Sequence, residues 1–475
     1  MTVSIADLGV LGLGTMGAML ALNFAEKGSD VALFNRTTKK ARDLVSQSGN
    51  LAARLHARDT LADFVSSLKL PRVIVLMVNA GQPVDDQLEA LSGLLEAGDI
   101  VIDAGNADFN DTVRRSQKWD QTGSHFVGMG VSGGELGARH GPSIMVGGDE
   151  NVWARLKPLL EPVSAKYEGS PCVAWLGPDG AGHFVKTIHN GIEYADMQMI
   201  AEIYSIMRDG LSLSTDEMSG LFKEWNTRGL SSYLIEISAV VLAEKDAETG
   251  KPIVDVIVDE AGQKGTGRWS VIEAQKLGIG ATTLEAAVSA RSISSMRSGR
   301  GKAADIYAGV KRGANTFAAN SQDVPELEAA LETAKIIAYA QGYAVMAAAS
   351  EAYSWNLPLG EIARIWRSGC IIRSVFLADI AKAFEGDDKL ANLLQDPSFA
   401  KRVSEGQSAL RTVVSKAALA GIPVPALSAA LAYFDDYRRA RGSANLIQGQ
   451  RDLFGAHTFR RFDAEGAHHH IWPAV

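Results

Sequence analysis

Between Ile5 and Lys40 the chain reads IADLGVLGLGTMGAMLALNFAEKGSDVALFNRTTKK. Ile5 to Leu11 is a short apolar strand. Residues 15 to 27 carry Met16, Met19, Leu20 and Phe24 at helical spacing, Gly28 stops that helix, and DVALFN is a second strand. The turn from strand to helix is GLGTMG, with Gly12, Gly14 and Gly17 spaced as G-x-G-x-x-G. In such a turn the first glycine makes the bend and the second lets the backbone approach a pyrophosphate. The third lets helix and strand pack closely, and the helix N-terminus faces the phosphates. A plain tight turn could use the same glycines. A complete strand–helix–strand unit around them predicts instead a dinucleotide site built from Gly12, Leu13, Gly14, Thr15, Met16 and Gly17.

The end of the second strand selects the cofactor. Sites that prefer NAD place an acid there for the ribose hydroxyls. This chain has Asn35, Arg36 and Thr37. No acid is present to repel a 2′-phosphate, Arg36 can pair with it and Thr37 can donate a hydrogen bond, so NADP is expected. The bland alternative for Arg36 is an exposed surface arginine.

Strand-like runs continue at 72–78, 99–105, 125–131, 143–148 and 172–177, several separated by helical segments. This is the pattern of a doubly wound Rossmann-type sheet, whose ligands bind at the carboxyl ends of the strands. Met77, Val78 and Asn79 in MVNAGQP, and Asn106 in DAGNADF, are therefore candidates for the cofactor. Asn106 and the run Ser132, Gly133 and Gly134 are candidates for the substrate, against the alternative of ordinary turn chemistry.

After GPDGAG the strand patterns nearly vanish and helical periodicity takes over. The expected domains are 1–178, a nucleotide-binding α/β domain; 179–440, a large all-α domain; and 441–475, a tail with little amphipathic pattern that is disordered or docks elsewhere. Long helices are expected from about Gly182 to Arg208 and from about Pro325 to Trp355, packed together at the domain's centre. Each is followed by similar text, LSTDEMSGLFKEWNTRGLSSYLIEISA and LPLGEIARIWRSGCIIRSVFLADIAKA, which reads as a diverged duplication. His468, His469 and His470 lie before IWPAV and read as surface or packing residues, and no metal site is expected.

The composition bounds the function. With 475 residues, 46% hydrophobic and 21% charged, the chain is globular and long enough for two or three domains. Its two cysteines, Cys172 and Cys370, make no disulfide framework, so a reducing, cytoplasmic compartment is expected. No signal peptide and no membrane span are expected. The net charge of −8 argues against a nucleic-acid partner and requires any anionic ligand to meet basic residues gathered locally.

FVKTIHNGIEYADMQ, from Phe184, places Lys186, His189, Asn190, Glu193 and Tyr194 on one helical face. A solvated stripe with a Lys–Glu pair is the plain reading. Yet this helix opens the second domain where the sheet ends, so its first half should line a cleft, where a lysine and a glutamate could act as base and acid. The segments GLGTMG, NRT, DAGN, GVSGGELGARHGPSIMVGG, KTIHNGIEY, QKGTG and NLIQGQRDLFGAHT together resemble the decarboxylating 6-phosphogluconate dehydrogenases, in that family's order and over nearly the whole length. The resemblance implies a Rossmann domain, a helical domain with a duplicated half, NADP, no metal, and a homodimer whose tail enters the neighbouring subunit. It implies oxidation and decarboxylation of 6-phosphogluconate, with Lys186 as base and Glu193 as acid. It also implies that Asn106, Ser132, Gly133, Gly134, His189 and Asn190 hold the carboxylate and hydroxyls, that Tyr194, Lys264, Thr266 and Arg291 hold the phosphate, and that Arg451 and His457 come from the partner's tail. Two departures stand out. DAGNADF replaces a second glycine followed by Ser-Glu-Tyr, and Asn79 stands where a lysine is common beside the cofactor. The rivals are a dehydrogenase of smaller β-hydroxy acids, which would not need the second helical repeat or the basic tail, and a non-catalytic NADP-binding protein.

Overall fold

The computed structural model describes residues 5–310, 313, 317 and 323–473. Ten strands occur among the described residues, all in the first part of the chain: β1 (Leu8–Leu11), β2 (Val31–Phe34), β3 (Leu55–Ala57), β4 (Val73–Leu76), β5 (Ile100–Asp103), β6 (His125–Ser132), β7 (Ser143–Val146), β8 (Lys166–Tyr167), β9 (Ser170–Pro171) and β10 (Val173–Trp175). Eight of them form one sheet in the order β10-β7-β6-β5-β4-β1-β2-β3, while β8 and β9 pair separately. All pairings in the large sheet are parallel except β6 with β7. The runs at 72–78, 99–105, 125–131, 143–148 and 172–177 all contain strands. β3 escaped the pattern because three residues are too few to show a period.

Register brings the functional turns to one edge. Leu11 lies opposite Phe34 and Leu76, and Leu76 lies opposite Asp103. The glycine turn, Asn35, Met77 and the DAGN segment therefore leave the sheet side by side. β6 is aligned with β5 through Asp103 and Gly128, then runs on to Ser132.

The chain beyond the sheet is helical. The helix Ala181–Ser205, continued as a π turn over Ile206–Gly210, packs against Asp323–Ala352, and Pro397–Ala420 packs on the latter. The approach of the first two is close: a Cβ on Gly342 would lie 2.5 Å from Ile192 Cδ1. The two similar segments become helix pairs, Thr215–Trp225 with Tyr233–Ala243 and Leu359–Ile365 with Phe376–Gly386. They meet at equivalent turns. Ser232 and Ser374 form an antiparallel bridge, with Tyr233 N–H donating to Arg373 O and Val375 N–H to Ser231 O, both at 3.0 Å.

The tail corrects the sequence reading. A helix, Ala444–Gly455, forms where little amphipathic pattern was read. The residues after this helix fold back onto Asp452, which is fully buried and accepts from the Thr458 and His470 backbone N–H groups and the Trp472 indole, with the His469 ring at 3.0 Å. The histidine run thus serves packing within the tail. The helix keeps Leu446, Ile447, Leu453 and Phe454 exposed.

Sheet and helices are joined by a groove of glycines. A Cβ on Gly182 would stand 2.6 Å from Gly147 N and Met145 O and 2.7 Å from Gly128 O, all backbone atoms. A Cβ on Gly128 would meet His183 Nδ1 at 2.8 Å, and one on Gly130 would meet Lys186 Cβ at 2.5 Å. The two-residue period of β6 thus engages the three-residue step from 183 to 186 on the helix. Gly182→Ala should push the helix off the strand and lower stability by about 1–3 kcal/mol. Urea unfolding followed by circular dichroism checks this against Gly220→Ala, where a Cβ meets nothing within 4 Å.

Candidate active site

The three glycines of the first turn behave as their spacing requires. Gly12 has φ +98°, and a Cβ there would lie 2.4 Å from Met77 O. A Cβ on Gly17 would lie 2.0 Å from Gly12 O, whereas one on Gly14 would meet nothing within 4 Å. The open position is the one across which a pyrophosphate would approach. The helix behind it, Thr15–Glu26, has neither a side-chain cap nor an acid in its first turn, so its N–H groups remain available to an anion. Asn35 ties the second strand to this turn, its Oδ1 accepting from Leu13 N–H at 3.0 Å and its Nδ2 donating to Thr37 O at 3.2 Å. Arg36 and Thr37 are exposed beside it, as are Asn79 and Asn106 at the ends of their turns. Met77 and Val78 are half-buried. This set fits a dinucleotide with an additional phosphate at the Arg36 end.

Across the glycine groove lies the helix Ala181–Ser205, and its polar face is not a solvated stripe. Lys186 is 6% exposed, His189 0%, Asn190 8% and Tyr194 5%. Asn190 Nδ2 donates to Thr266 Oγ1 at 2.9 Å, which leaves its Oδ1 facing His189 Nδ1 at 3.1 Å as an acceptor. The proton of the neutral imidazole is therefore assigned to Nδ1, and Nε2 accepts from the Ser132 hydroxyl at 3.1 Å. Lys186 Nζ lies 3.4 Å from the same Nδ1. That proton is given to Asn190 Oδ1, so a free amine can turn its lone pair to it only as the longer arm of a three-centre bond. An ammonium, with three donors and no acceptor, cannot.

The electrostatics agree with that choice. Burial holds the Lys186 amine below its ordinary value, with Glu193 and the Cys370 thiol pulling more weakly the other way. Burial, reinforced by Lys186, keeps the His189 imidazole well below its usual range and so neutral. Burial also pushes the Glu193 carboxyl up, against the pull of Lys186 and Arg291, while Asp196 one turn further adds to the rise. Its Oε2 lies 4.0 Å from His189 Nδ1. The site therefore holds a disfavoured ammonium and a disfavoured carboxylate, a pair whose chemistry suits a base and an acid. Asp196 is itself paired with Lys335 of the helix Asp323–Ala352 at 3.0 Å, both fully buried, which anchors this stretch of helix to its neighbour.

Basic groups gather at the far end. The Arg291 guanidinium sits 3.5 Å over the Tyr194 ring, and its N–H groups reach Gly262 O and Met197 Sδ. Lys264 is exposed in the neighbouring loop, and Thr266, bound to Asn190, begins the next helix. Gly133 and Gly134, with φ of +121° and +64°, turn the chain from β6 into the helix Gly134–His140. Ser132, Lys186, His189, Asn190, Glu193, Tyr194, Thr266 and Arg291 thus form one linked group. Arg451 and His457 do not join it: Arg451 bonds Gln448 at 3.1 Å, and the His457 ring packs on Phe454. The sequence reading passed over Gly128 and Gly130, which seat His183 and Lys186. Two glycines at strand spacing in HFVGMGV were the signal for them.

Comparison with known proteins agrees with this architecture. Residues 7–177 match the family model described as the NAD binding domain of 6-phosphogluconate dehydrogenase, and residues 182–472 match the one described as its C-terminal domain. The chain is 48% identical over 467 residues to the NADP(+)-dependent decarboxylating 6-phosphogluconate dehydrogenase of Bacillus subtilis, a match covering 98% of this chain and 99% of that protein. It is 46% identical over 471 residues to the NAD(+)-dependent decarboxylating enzyme of the same organism, with the same coverage. A structure of Plasmodium falciparum 6-phosphogluconate dehydrogenase, studied in apo form and with NADP+ or 6-phosphogluconate, superimposes with a TM-score of 0.94 at 41% identity, covering 98% of this chain and 100% of that one. With both halves matched in order and along nearly their whole length, the chain belongs to the 6-phosphogluconate dehydrogenase family.

Proposed function

We propose that this protein oxidises and decarboxylates 6-phospho-D-gluconate to ribulose 5-phosphate and CO2 with NADP as acceptor, the oxidative step of a gluconate-using pentose phosphate pathway. The observation that carries the residue assignments is the buried amine of Lys186, held beside an imidazole N–H against β6 and followed two helical turns later by a half-buried acid whose carboxyl is pushed up.

NADP, when bound, takes the hydride from C3 of the sugar acid. Lys186 accepts the C3 hydroxyl proton, which requires the free amine that burial and the His189 Nδ1–H favour. The resulting β-keto acid loses CO2 as the adjacent carbonyl takes up the electrons. Lys186, now an ammonium, hydrogen-bonds that carbonyl oxygen and stabilises the developing enolate. Glu193 then protonates C1 of the enediol, and burial keeps its proton available. The two residues lie about 10 Å apart along the helix axis, so they address different carbons of an extended substrate. Asn106, Ser132, the Gly133–Gly134 backbone, His189 and Asn190 hold the carboxylate and hydroxyls. Tyr194, Lys264, Thr266 and Arg291 hold the phosphate.

Two further parts of the reading rest on particular residues. The Bacillus relatives differ in cofactor while being nearly equally similar, so overall likeness does not choose between NADP and NAD. The exposed Arg36 and the lack of an acid after β2 favour NADP. The tail helix carries Arg451, with His457 just beyond it, and leaves Leu446, Ile447, Leu453 and Phe454 exposed, as suits a segment that docks on a second copy and completes its site. Among the described residues no helix is long and apolar enough to cross a membrane, and both cysteines are free and buried, which suits a cytoplasmic enzyme.

Lys186→Met should fold and bind NADP but lose about 10²–10⁴-fold or more in kcat; absorbance of NADPH with CO2 capture reads this, and near-normal turnover would contradict the assignment. The wild-type rate should be bell-shaped in pH. It should rise as Lys186 loses its proton below the ordinary lysine range and fall as Glu193 loses its proton above the ordinary carboxyl range. Glu193→Gln should abolish release of ribulose 5-phosphate. Arg36→Ala should raise the KM for NADP about tenfold to a hundredfold and leave that for NAD nearly unchanged, in initial-rate titrations with each cofactor.

A further inference from the structure

The helix Leu359–Ile365 ends at Trp366, and the turn through Cys370 lies against the sheet. Ile365 O accepts from Ser143 Oγ at 2.8 Å and Gly369 O from Ser143 N–H at 2.9 Å. A Cβ on Gly133 would fall 2.5 Å from Gly369 O, so the same turn also packs on the Ser132–Gly134 bend. Trp366 is fully buried. Its indole N–H points to Met145 Sδ of β7 at 3.4 Å, and its carbonyl accepts from the Cys370 thiol at 3.0 Å. Its ring meets the His189 ring edge to face, with centroids 5.3 Å apart and planes at 83°. Tyr343 packs on the indole at 5.8 Å and 72°, and stacks in turn on Phe384.

These contacts supply what the hydrogen bonds of His189 leave open. Ser132 and Asn190 hold the two ring nitrogens, both in the plane of the imidazole. Tilt out of that plane is opposed by a wall, and an aromatic edge provides one with a preferred angle. We propose that Trp366 is a positioning residue for the reaction, holding the His189 ring at the tilt that keeps its Nδ1–H, given to Asn190 Oδ1, shared with the Lys186 amine as the longer arm of a three-centre bond. The inference rests on the reading of Lys186 as the base. The other titratable groups facing the amine are Glu193 on the same helix and the Cys370 thiol from the turn, which burial pushes up to about 12 and so keeps neutral. His189 is the neighbour whose ring N–H, shared with Asn190 Oδ1, faces the amine.

The test compares Trp366→Leu and Trp366→Phe with Trp225→Leu, which removes an equally buried tryptophan whose ring contact is with Phe222. The readouts are the pH profile of kcat with 6-phosphogluconate and NADP, and NADP affinity by fluorescence titration. Trp366→Leu should lower kcat about tenfold or more while NADP affinity is kept. It should also move the acid limb to higher pH, because an amine without its N–H partner is more easily protonated. Trp366→Phe retains a ring and should leave the limb close to wild type, and Trp225→Leu should not move it. A folded Trp366→Leu protein with an unmoved limb, or an equal movement in Trp225→Leu, would overturn the proposal. Should Trp366→Leu not fold, Trp366→Met fills more of the space without a ring and is judged by the same limb. An active Lys186→Met protein would remove the base assignment itself. An inactive one beside an unmoved limb in Trp366→Leu would remove only the part given to Trp366.

Discussion

The contact on which the site depends is the bare backbone of β6 against the first turns of the helix Ala181–Ser205. Gly128 and Gly130 give the helix room to lie on the strand, Gly182 gives the strand room to lie on the helix, and no Cβ could occupy any of these positions without displacing backbone or a buried side chain. The closeness has an electrical consequence. Lys186 emerges where its stem is already against the strand, so its amine is dry before any ligand arrives. Desolvation disfavours the ammonium, and the nearest ring nitrogen offers a proton rather than a lone pair. A packing constraint thereby becomes a chemical one.

The two halves of the chain divide the work along this contact. The sheet brings its cofactor-facing turns to one edge through parallel register, and each turn carries the group its place requires: an open glycine, a helix start without a cap, an exposed arginine. On the proposed reading the helical half supplies the proton chemistry and the anion-binding groups. Arg291 is held over Tyr194 and Thr266 is tied to Asn190, so substrate positioning begins from side chains already arranged. The net charge of −8 makes this local gathering of cations necessary, since the remainder of the surface would repel a sugar acid phosphate.

Much of this was legible in the sequence because the signals were local. The GLGTMG turn, the missing acid after β2 and the shared face of Lys186, His189, Asn190, Glu193 and Tyr194 each depend on spacing along one segment. The helix boundaries differed by one to three residues, as fraying ends and a terminal π turn do. What the residues alone did not reveal is contact between segments far apart in the chain. Nothing near His189 announces Trp366, and nothing near Glu193 announces the Asp196–Lys335 pair, because each partner comes from an element more than a hundred residues away. The helix in the tail went unread for a related reason. Its helix hides Asp452 rather than an apolar stripe, so the pattern that marks an amphipathic helix is missing.

The central claim is that burial against the strand, with the His189 ring alongside, disfavours the ammonium form of Lys186. The direct measurement is a pH titration of the holoenzyme carrying 13Cε-labelled lysine, followed by NMR, with the Lys186 signal assigned by its loss in Lys186→Met. The account predicts that this one lysine titrates below the usual value of about 10.4. A Lys186 signal that titrates with the surface lysines, or above them, would contradict it.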